Sequence, residues 1–165
     1  MVTITRTGLL GLLLALLLVP SAPAGPPPPQ RIVSLSPTAT EDLYAVGAGK
    51  QVVAVDDQSN YPAGAPKTKL SSYTPNAEAI AAYRPDLVVL SADSSGIVAA
   101  LAKLKIATLL APPATSLAGA YAQITNLGRI TGHGARAAAV VAKLKRGVGS
   151  VVASMPCIGS CRYPW

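Results

Sequence analysis

The 165-residue sequence predicts an α/β fold built on a doubly wound parallel sheet, and two observations carry that expectation. Strand and helix signals alternate along residues 31–131. Each strand is a short, continuous apolar run with no period-two alternation, the pattern of strands whose two faces are both covered.

The elements follow in order. Residues 32–35 read as a buried strand. Ser36 and Pro37 follow as N-cap and first helical residue, Thr38 and Glu41 have capping-box spacing, and the helix runs to Val46 before Gly47 and Gly49 stop it. Residues 51–55 form a second strand that ends in the polar stretch 56–61 and Pro62. Residues 63–72 are loop-like. Thr74 and Pro75 then open a helix over 76–83, which Arg84-Pro85-Asp86 breaks. Residues 87–90 are the cleanest buried strand in the chain. A polar turn at 91–96, a helix at 97–105, a strand at 106–110 and a helix at 116–127, ended by Gly128, complete the alternation. After Gly132-His133-Gly134, residues 135–152 place Ala139, Val140, Leu144, Val148 and Val151 at helical spacing, with Lys143, Lys145 and Arg146 on the polar side. This predicts the longest helix of the protein. The sheet is expected to hold four strands or slightly more, with Leu35, Val53, Val55, Val88, Val89 and Leu109 buried.

Composition sets limits on partners and location. Half the residues are apolar and Phe is absent, so the core must come from Ala, Val, Leu and Ile. Arg6, the eleven-residue apolar run 9–19 and the small residues Ala22 and Ala24 have the order of a secretory signal, so residues 1–24 are expected to be a signal peptide. The apolar run stops at Pro20, short of the roughly 20 residues a membrane-spanning helix needs. An exported chain follows, located in the periplasm, the cell envelope or outside the cell. Residues 25–30 are a Pro-rich spacer. All seven acids lie in residues 31–93 beside five basic residues, while residues 94–165 hold eight basic residues and no acid. Without interleaved aromatics this basic half reads as a solvated helix face, and no nucleic-acid partner is expected. Cys157 and Cys161 close too small a loop to stabilise much as a disulfide, and the lone His133 lies far from them, so no metal site is expected.

The chain also lacks catalytic signatures. Gly47-Ala48-Gly49-Lys50 lacks the preceding glycine and the following Ser or Thr of a phosphate loop, and it follows a helix where the loop must follow a strand. His133, between two glycines at a helix start, reads as a cap or a solvent-facing side chain. With no paired base and nucleophile and no cofactor fingerprint, neither catalysis nor a cofactor is expected. What stands out is a set of polar and aromatic residues after the strands: Ser36-Pro37-Thr38, then Asp56 to Tyr61, then Ser91 to Ser95. Ligands of open parallel sheets bind outside that edge. Tyr73, just before a helix start, is placed either to cover a flat ligand or to pack on its own loop.

Arg31-Ile32-Val33-Ser34-Leu35-Ser36-Pro37-Thr38-Ala39-Thr40-Glu41 and Val46-Gly47-Ala48-Gly49 resemble the opening of the iron-siderophore/cobalamin substrate-binding proteins of ABC transporters, the class III periplasmic-binding family. Asn60-Tyr61-Pro62, Pro75-Asn76-Ala77-Glu78-Ala79-Ile80 and Arg84-Pro85-Asp86-Leu87-Val88 match the same family in order and spacing, over about residues 31–152. The resemblance implies two α/β lobes bridged by a rigid helix, with residues 31–131 as the N-terminal ligand-binding lobe and 132–155 as the interlobe helix. The second lobe is then missing. Residues 156–165, which resemble nothing in the family, read as an aberrant tail left by a frameshift or premature stop. By the same resemblance, Ser36, Pro37, Thr38, Asn60, Tyr61 and Tyr73 contact the ligand, and Glu78 docks the permease/ATPase complex through arginine partners. Glu78 is equally an ordinary acid in a helix's first turn. The implied function is the exported binding component of an ABC importer for a metal chelate, cobalamin or a ferric siderophore. Haem is a close relative within the class, favoured if Tyr73 ligates iron, and a non-transporting fragment without a ligand is the other possibility.

Overall fold

The structure is a computed structural model that describes residues 26–154; the expected signal segment and the tail with Cys157 and Cys161 lie outside the described residues. Four strands, β1 (Ile32–Leu35), β2 (Val52–Val55), β3 (Leu87–Leu90) and β4 (Ala107–Leu110), form one sheet in the order β2-β1-β3-β4. Every pairing is parallel, with Ile32 opposite Leu87 and Leu87 opposite Ala107. The helices are α1 (Pro37–Ala45), α2 (Ala77–Ala81), α3 (Ile97–Lys103), α4 (Leu117–Ile130) and α5 (Gly134–Ser154). Their placement explains the unbroken apolar strands. Ile32, Leu87 and Val89 face a core with Leu43 of α1, Ile124 and Leu127 of α4 and Ala137 of α5. Val33, Leu35, Val88 and Leu90 face a second core with Ile80 of α2 and Ile97 and Leu101 of α3. Neighbouring residues point to opposite faces, and both faces are buried.

The two outer strands are less covered than the sequence suggests. Val53 on β2 and Leu109 on β4 are half-buried, and Leu110 remains 49% exposed. Both strands are sheet edges, so one flank of each has no neighbouring strand to cover it.

The entry of the chain is fixed by Asp86. Its two carboxylate oxygens accept the backbone N–H groups of Gln30 (2.7 Å) and Arg31 (3.0 Å), while its own N–H donates to Arg31 O (2.9 Å). The Arg31 guanidinium donates from Nη2 to Tyr83 O (2.7 Å) and from Nε to Arg84 O (3.0 Å), holding carbonyls just past the end of α2. The Pro-rich spacer is therefore tethered at its end, and Pro28 also lies beside Gly132.

Several boundaries shift for identifiable reasons. Ser36 caps α1, its Oγ accepting Ala39 N–H at 3.3 Å, so Thr38 lies inside the first turn and its spacing to Glu41 makes no cap. Asn76, not Thr74, caps α2, its Oδ1 accepting Ala79 N–H at 2.9 Å, and this leaves Thr74 and Pro75 in the loop. The third helix ends at Lys103 because Lys105 adopts a left-handed φ of 59° and turns the chain into β4.

The largest revision concerns Gly128. It does not end α4 but lies inside it, where α4 crosses the first turn of α5. A Cβ there would come within 2.3 Å of Ala137 Cβ and 3.2 Å of His133 O. The chain reverses at Gly132, with φ at 80°, between two helices that have to touch. The packed stripe of α5 is correspondingly rotated: Ala137 is fully buried and Val140 and Val141 pack against the core, whereas Ala139 is exposed. Arg136 Nε donates to Ala45 O (3.2 Å), tying α5 to the end of α1. Further along, Leu144, Val151 and Val152 are 42%, 62% and 64% exposed. No described helix is long and apolar enough to cross a membrane.

Gly128→Ala should lower stability by about 1–3 kcal/mol, the usual cost of overpacking a close contact. In urea unfolding the double variant with Ala137→Gly should lose less than the sum of the two single losses, since the clash is between those two positions. Strictly additive losses would mean that the crossing is not set by this contact.

Candidate ligand-binding site

Because all four strands are parallel, their C-terminal ends emerge at one edge of the sheet, and the loops leaving that edge carry the candidate residues. The first of these loops is 36–38. Ser36 is 4% exposed with its Oγ committed to capping α1, while Pro37 and Thr38 are exposed at the helix start.

The second loop leaves β2 at Asp56, whose N–H donates to Ser34 O at 3.0 Å. It turns through Ser59, whose N–H donates to Asp56 O (3.2 Å), and presents Asn60 and Tyr61 to solvent, Tyr61 at 64% exposure. The Tyr61–Pro62 peptide is cis. Tyr44 of α1 donates its hydroxyl to Gly64 O at 3.1 Å, which holds the far side of the loop. The chain then returns along β2: the Thr68 hydroxyl donates to Val55 O, Leu70 pairs in parallel with Asp56, and Asp57 N–H donates to Leu70 O at 2.8 Å. Continuing in that direction brings Tyr73 past the C-terminal end of β2. Ser71 Oγ accepts the N–H groups of both Tyr73 and Thr74 at 3.2 Å, fixing the backbone while the Tyr73 ring stays 78% exposed. Tyr73 thus does not pack on its own loop. Glu78 is exposed in the first turn of α2.

The third polar stretch, 91–95, serves α3. Asp93 Oδ1 accepts Val98 N–H at 2.9 Å across the single turn Ser94–Gly96. His133 sits half-buried just before α5, with Nδ1 2.8 Å from Thr131 O.

Two clefts involve these residues. A small one brings Ser36 and Thr38 together with Asp42, Pro112, Pro113 and Gln123. A wider groove of about 530 Å³ runs from Tyr61 and Pro62 past Glu41, Asp42 and Tyr44 to Ile124, Val140 and Leu144. Tyr73 lines neither. Asp42 is common to both, and sequence reading missed it. The available signal was its position four residues after Thr38, on the same side of α1. Burial, reinforced by the neighbouring charge of Glu41, raises the Asp42 carboxyl from 3.8 to about 6. Pro112, Pro113 and Gln123 were also unflagged; the Gln123 amide donates to Pro112 O, which steadies the loop after β4.

The chain is thus a parallel α/β lobe with polar and aromatic loops gathered at one sheet edge and a long helix leaving it. Residues 32–158 match the model of the periplasmic binding protein family, and the chain belongs to that family. A cobalamin-binding protein of Halobacterium salinarum is 30% identical over 139 residues, 81% of this chain and 38% of its own length. The structure of a possible iron-binding periplasmic solute-binding protein from Staphylococcus epidermidis aligns with a TM-score of 0.74 and 25% identity, over 80% of this chain and 54% of its own. That of the periplasmic vitamin B12-binding protein of Vibrio cholerae aligns with a TM-score of 0.67 and 26% identity, over 76% and 51%. The chain thus spans about half the length of these structures, and less of the cobalamin-binding relative.

The raised Asp42 carboxyl has a stability consequence. Protonation is tighter in the folded state, so its contribution is full below about pH 4 and is lost as pH rises through about 6. Allowing for solvent screening of a partly exposed group, Asp42→Asn should stabilise the protein by about 1 kcal/mol at pH 7.5 and by nothing measurable below pH 4. Urea unfolding at the two pH values checks it; an equal effect at both would refute the burial argument.

Proposed function

We propose that this chain is the exported substrate-binding component of an ABC importer for a metal chelate, cobalamin or a ferric siderophore, and that it performs no catalysis itself. The observation that carries this reading is the pair of exposed rings, Tyr61 at 64% and Tyr73 at 78%, standing on loops at the C-terminal sheet edge. Ser71 holds the backbone at Tyr73, and each ring leaves apolar surface in water that a broad, flat ligand would cover. The cobalamin-binding and iron-binding relatives support the ligand class.

In this reading Tyr73 covers one ligand face, Tyr61 and Asn60 line one side, and Pro37 and Thr38 line the other. Ser36 contributes mainly by capping α1, since its Oγ accepts Ala39 N–H. Glu78, exposed at the start of a helix, is the docking point for arginines of the permease, where charge pairing chiefly steers and orients the encounter. Residues 1–24 direct export, residues 31–131 are the ligand lobe and 132–155 the interlobe helix.

Titration with cyanocobalamin, a ferric siderophore and haemin, followed by absorbance and by melting temperature, tests the reading. At least one of the first two should bind, and Tyr73→Ala should weaken it about tenfold. Tyr73→Phe separates the ligands: a stacked chelate keeps its affinity, whereas haem ligated through the phenol oxygen loses it. Saturable binding of neither cyanocobalamin nor the siderophore at millimolar concentration would overturn the assignment, and binding of haemin alone would assign the haem branch instead. Glu78→Lys should leave ligand affinity unchanged while reducing stimulation of the importer's ATPase.

A further inference from the structure

The loop that carries Asn60 and Tyr61 rests on a buried polar chain. Ser34, Thr40, Asp56 and Ser59 are 0%, 0%, 1% and 6% exposed, unusual burial for four polar side chains in so small a lobe. The Thr40 hydroxyl, on α1, lies 2.9 Å from Ser34 Oγ, 3.0 Å from Ser36 O and 3.0 Å from Ser59 Oγ. The Ser59 hydroxyl donates in turn to Asp56 Oδ1 at 2.5 Å. A carboxylate only accepts, so Ser59 spends its single proton on Asp56, and across the Thr40–Ser59 contact Thr40 is the donor. The hydroxyl chain therefore runs in one direction, from Thr40 through Ser59 to Asp56, and it meets the 36–38 turn through the Thr40 backbone, whose N–H donates to Ser36 O at 2.9 Å. At its end, Asp56 Oδ2 is buried with no hydrogen-bond partner among the described residues. An aspartate this buried is uncommon, and its side-chain hydrogen bond goes to Ser59, the residue that anchors the loop.

We propose that Asp56 and Ser59 are positioning residues, and that the Thr40–Ser59–Asp56 relay sets the conformation of the 57–61 loop and couples it to the 36–38 turn, so that the two loops move as one unit. The functional half of this claim rests on the ligand-site reading above; the structural half does not. Ser59 lies directly before Asn60 and Tyr61, and its side chain is the buried anchor of an otherwise exposed turn. Hydrogen bonds to charged groups are among the stronger ones, so loss of this one should be felt at the loop by at least about tenfold.

The test uses the full chain and four variants, Ser59→Ala, Ser59→Thr, Asp56→Asn and Tyr61→Ala. Hydrogen exchange is read at the amides of residues 57–61 against those of 87–90. Ser59→Ala should speed exchange of the hydrogen-bonded Asp57, Ser59 and Asn60 amides at least about tenfold, with 87–90 unchanged, and Ser59→Thr should restore protection. Asp56→Asn, which keeps the shape but weakens the acceptor, should fall between. Unchanged exchange in Ser59→Ala, or an equal rise at 87–90, overturns the proposal. With cyanocobalamin and a ferric siderophore as probes, Ser59→Ala should lower affinity in the wild-type background but not in Tyr61→Ala, because it acts through that ring. If Tyr61→Ala binds both probes as the wild type does, the ligand reading of this loop fails, and the exchange ratio alone decides the positioning claim.

Discussion

A parallel sheet with no hairpins must cross over between every pair of strands, and in this chain that constraint governs nearly everything else. Each crossover needs a helix, each helix must cover a face, and both faces of a four-stranded sheet are thereby buried. The same parallel register sends every strand's exit to one edge. Ser36, Asp56, Ser91 and Ala111 are the first residues beyond their strands, and the concentration of polar chemistry at that edge follows from the topology. The exits differ in use: those after β1 and β2 share a hydroxyl relay, while that after β3 is consumed in starting α3.

Burying both faces with short elements leaves little room for error at the start of the sheet. Asp86 and Arg31 solve this locally by exchanging backbone hydrogen bonds between the entry to β1 and the entry to β3, the strands at the centre of the sheet. A sequence motif that looks like a helix breaker, Arg84-Pro85-Asp86, thus has a second task. Arg84 takes a left-handed φ of 49° to end α2, and Asp86 pairs the next strand to the chain entry.

The strands were legible because an unbroken apolar run bounded by turn residues has few other uses, and β1 and β3 fall where the pattern places them. The helix starts were only partly legible. Ser36 and Asn76 are both caps, but Thr74 followed by Pro75 carries the same local signal as Ser36 followed by Pro37 without being used: Asn76 Oδ1 accepts Ala79 N–H, and the helix starts only after it. Gly128 misled for a different reason: a helix-ending glycine and a helix-crossing glycine look alike in one dimension. The difference is Ala137, which only the fold brings near. Among the candidate site residues, the loops of Asn60, Tyr61 and Tyr73 could be placed from the strands preceding them. Asp42 could not, since its environment comes from Pro112, Pro113 and Gln123, some 70 to 80 residues away. Nor could the relay from Thr40 to Asp56, whose members read singly as a helix residue and an ordinary polar turn.

The crossing at Gly128 also makes α5 a lever with its fulcrum near one end. Of its 21 residues, those anchored in the core or capping α1 lie between Arg136 and Val141, and the remainder extends outward with decreasing support. From Ala137 to Ser154 the arm is about 25 Å long at 1.5 Å per residue. At that length, an angle of about 5° at the crossing corresponds to about 2 Å at the far end. The absence of a side chain at position 128 therefore does more than allow close packing. It fixes the pivot, and with it the direction in which anything attached to the distal end of α5 is held relative to the sheet edge.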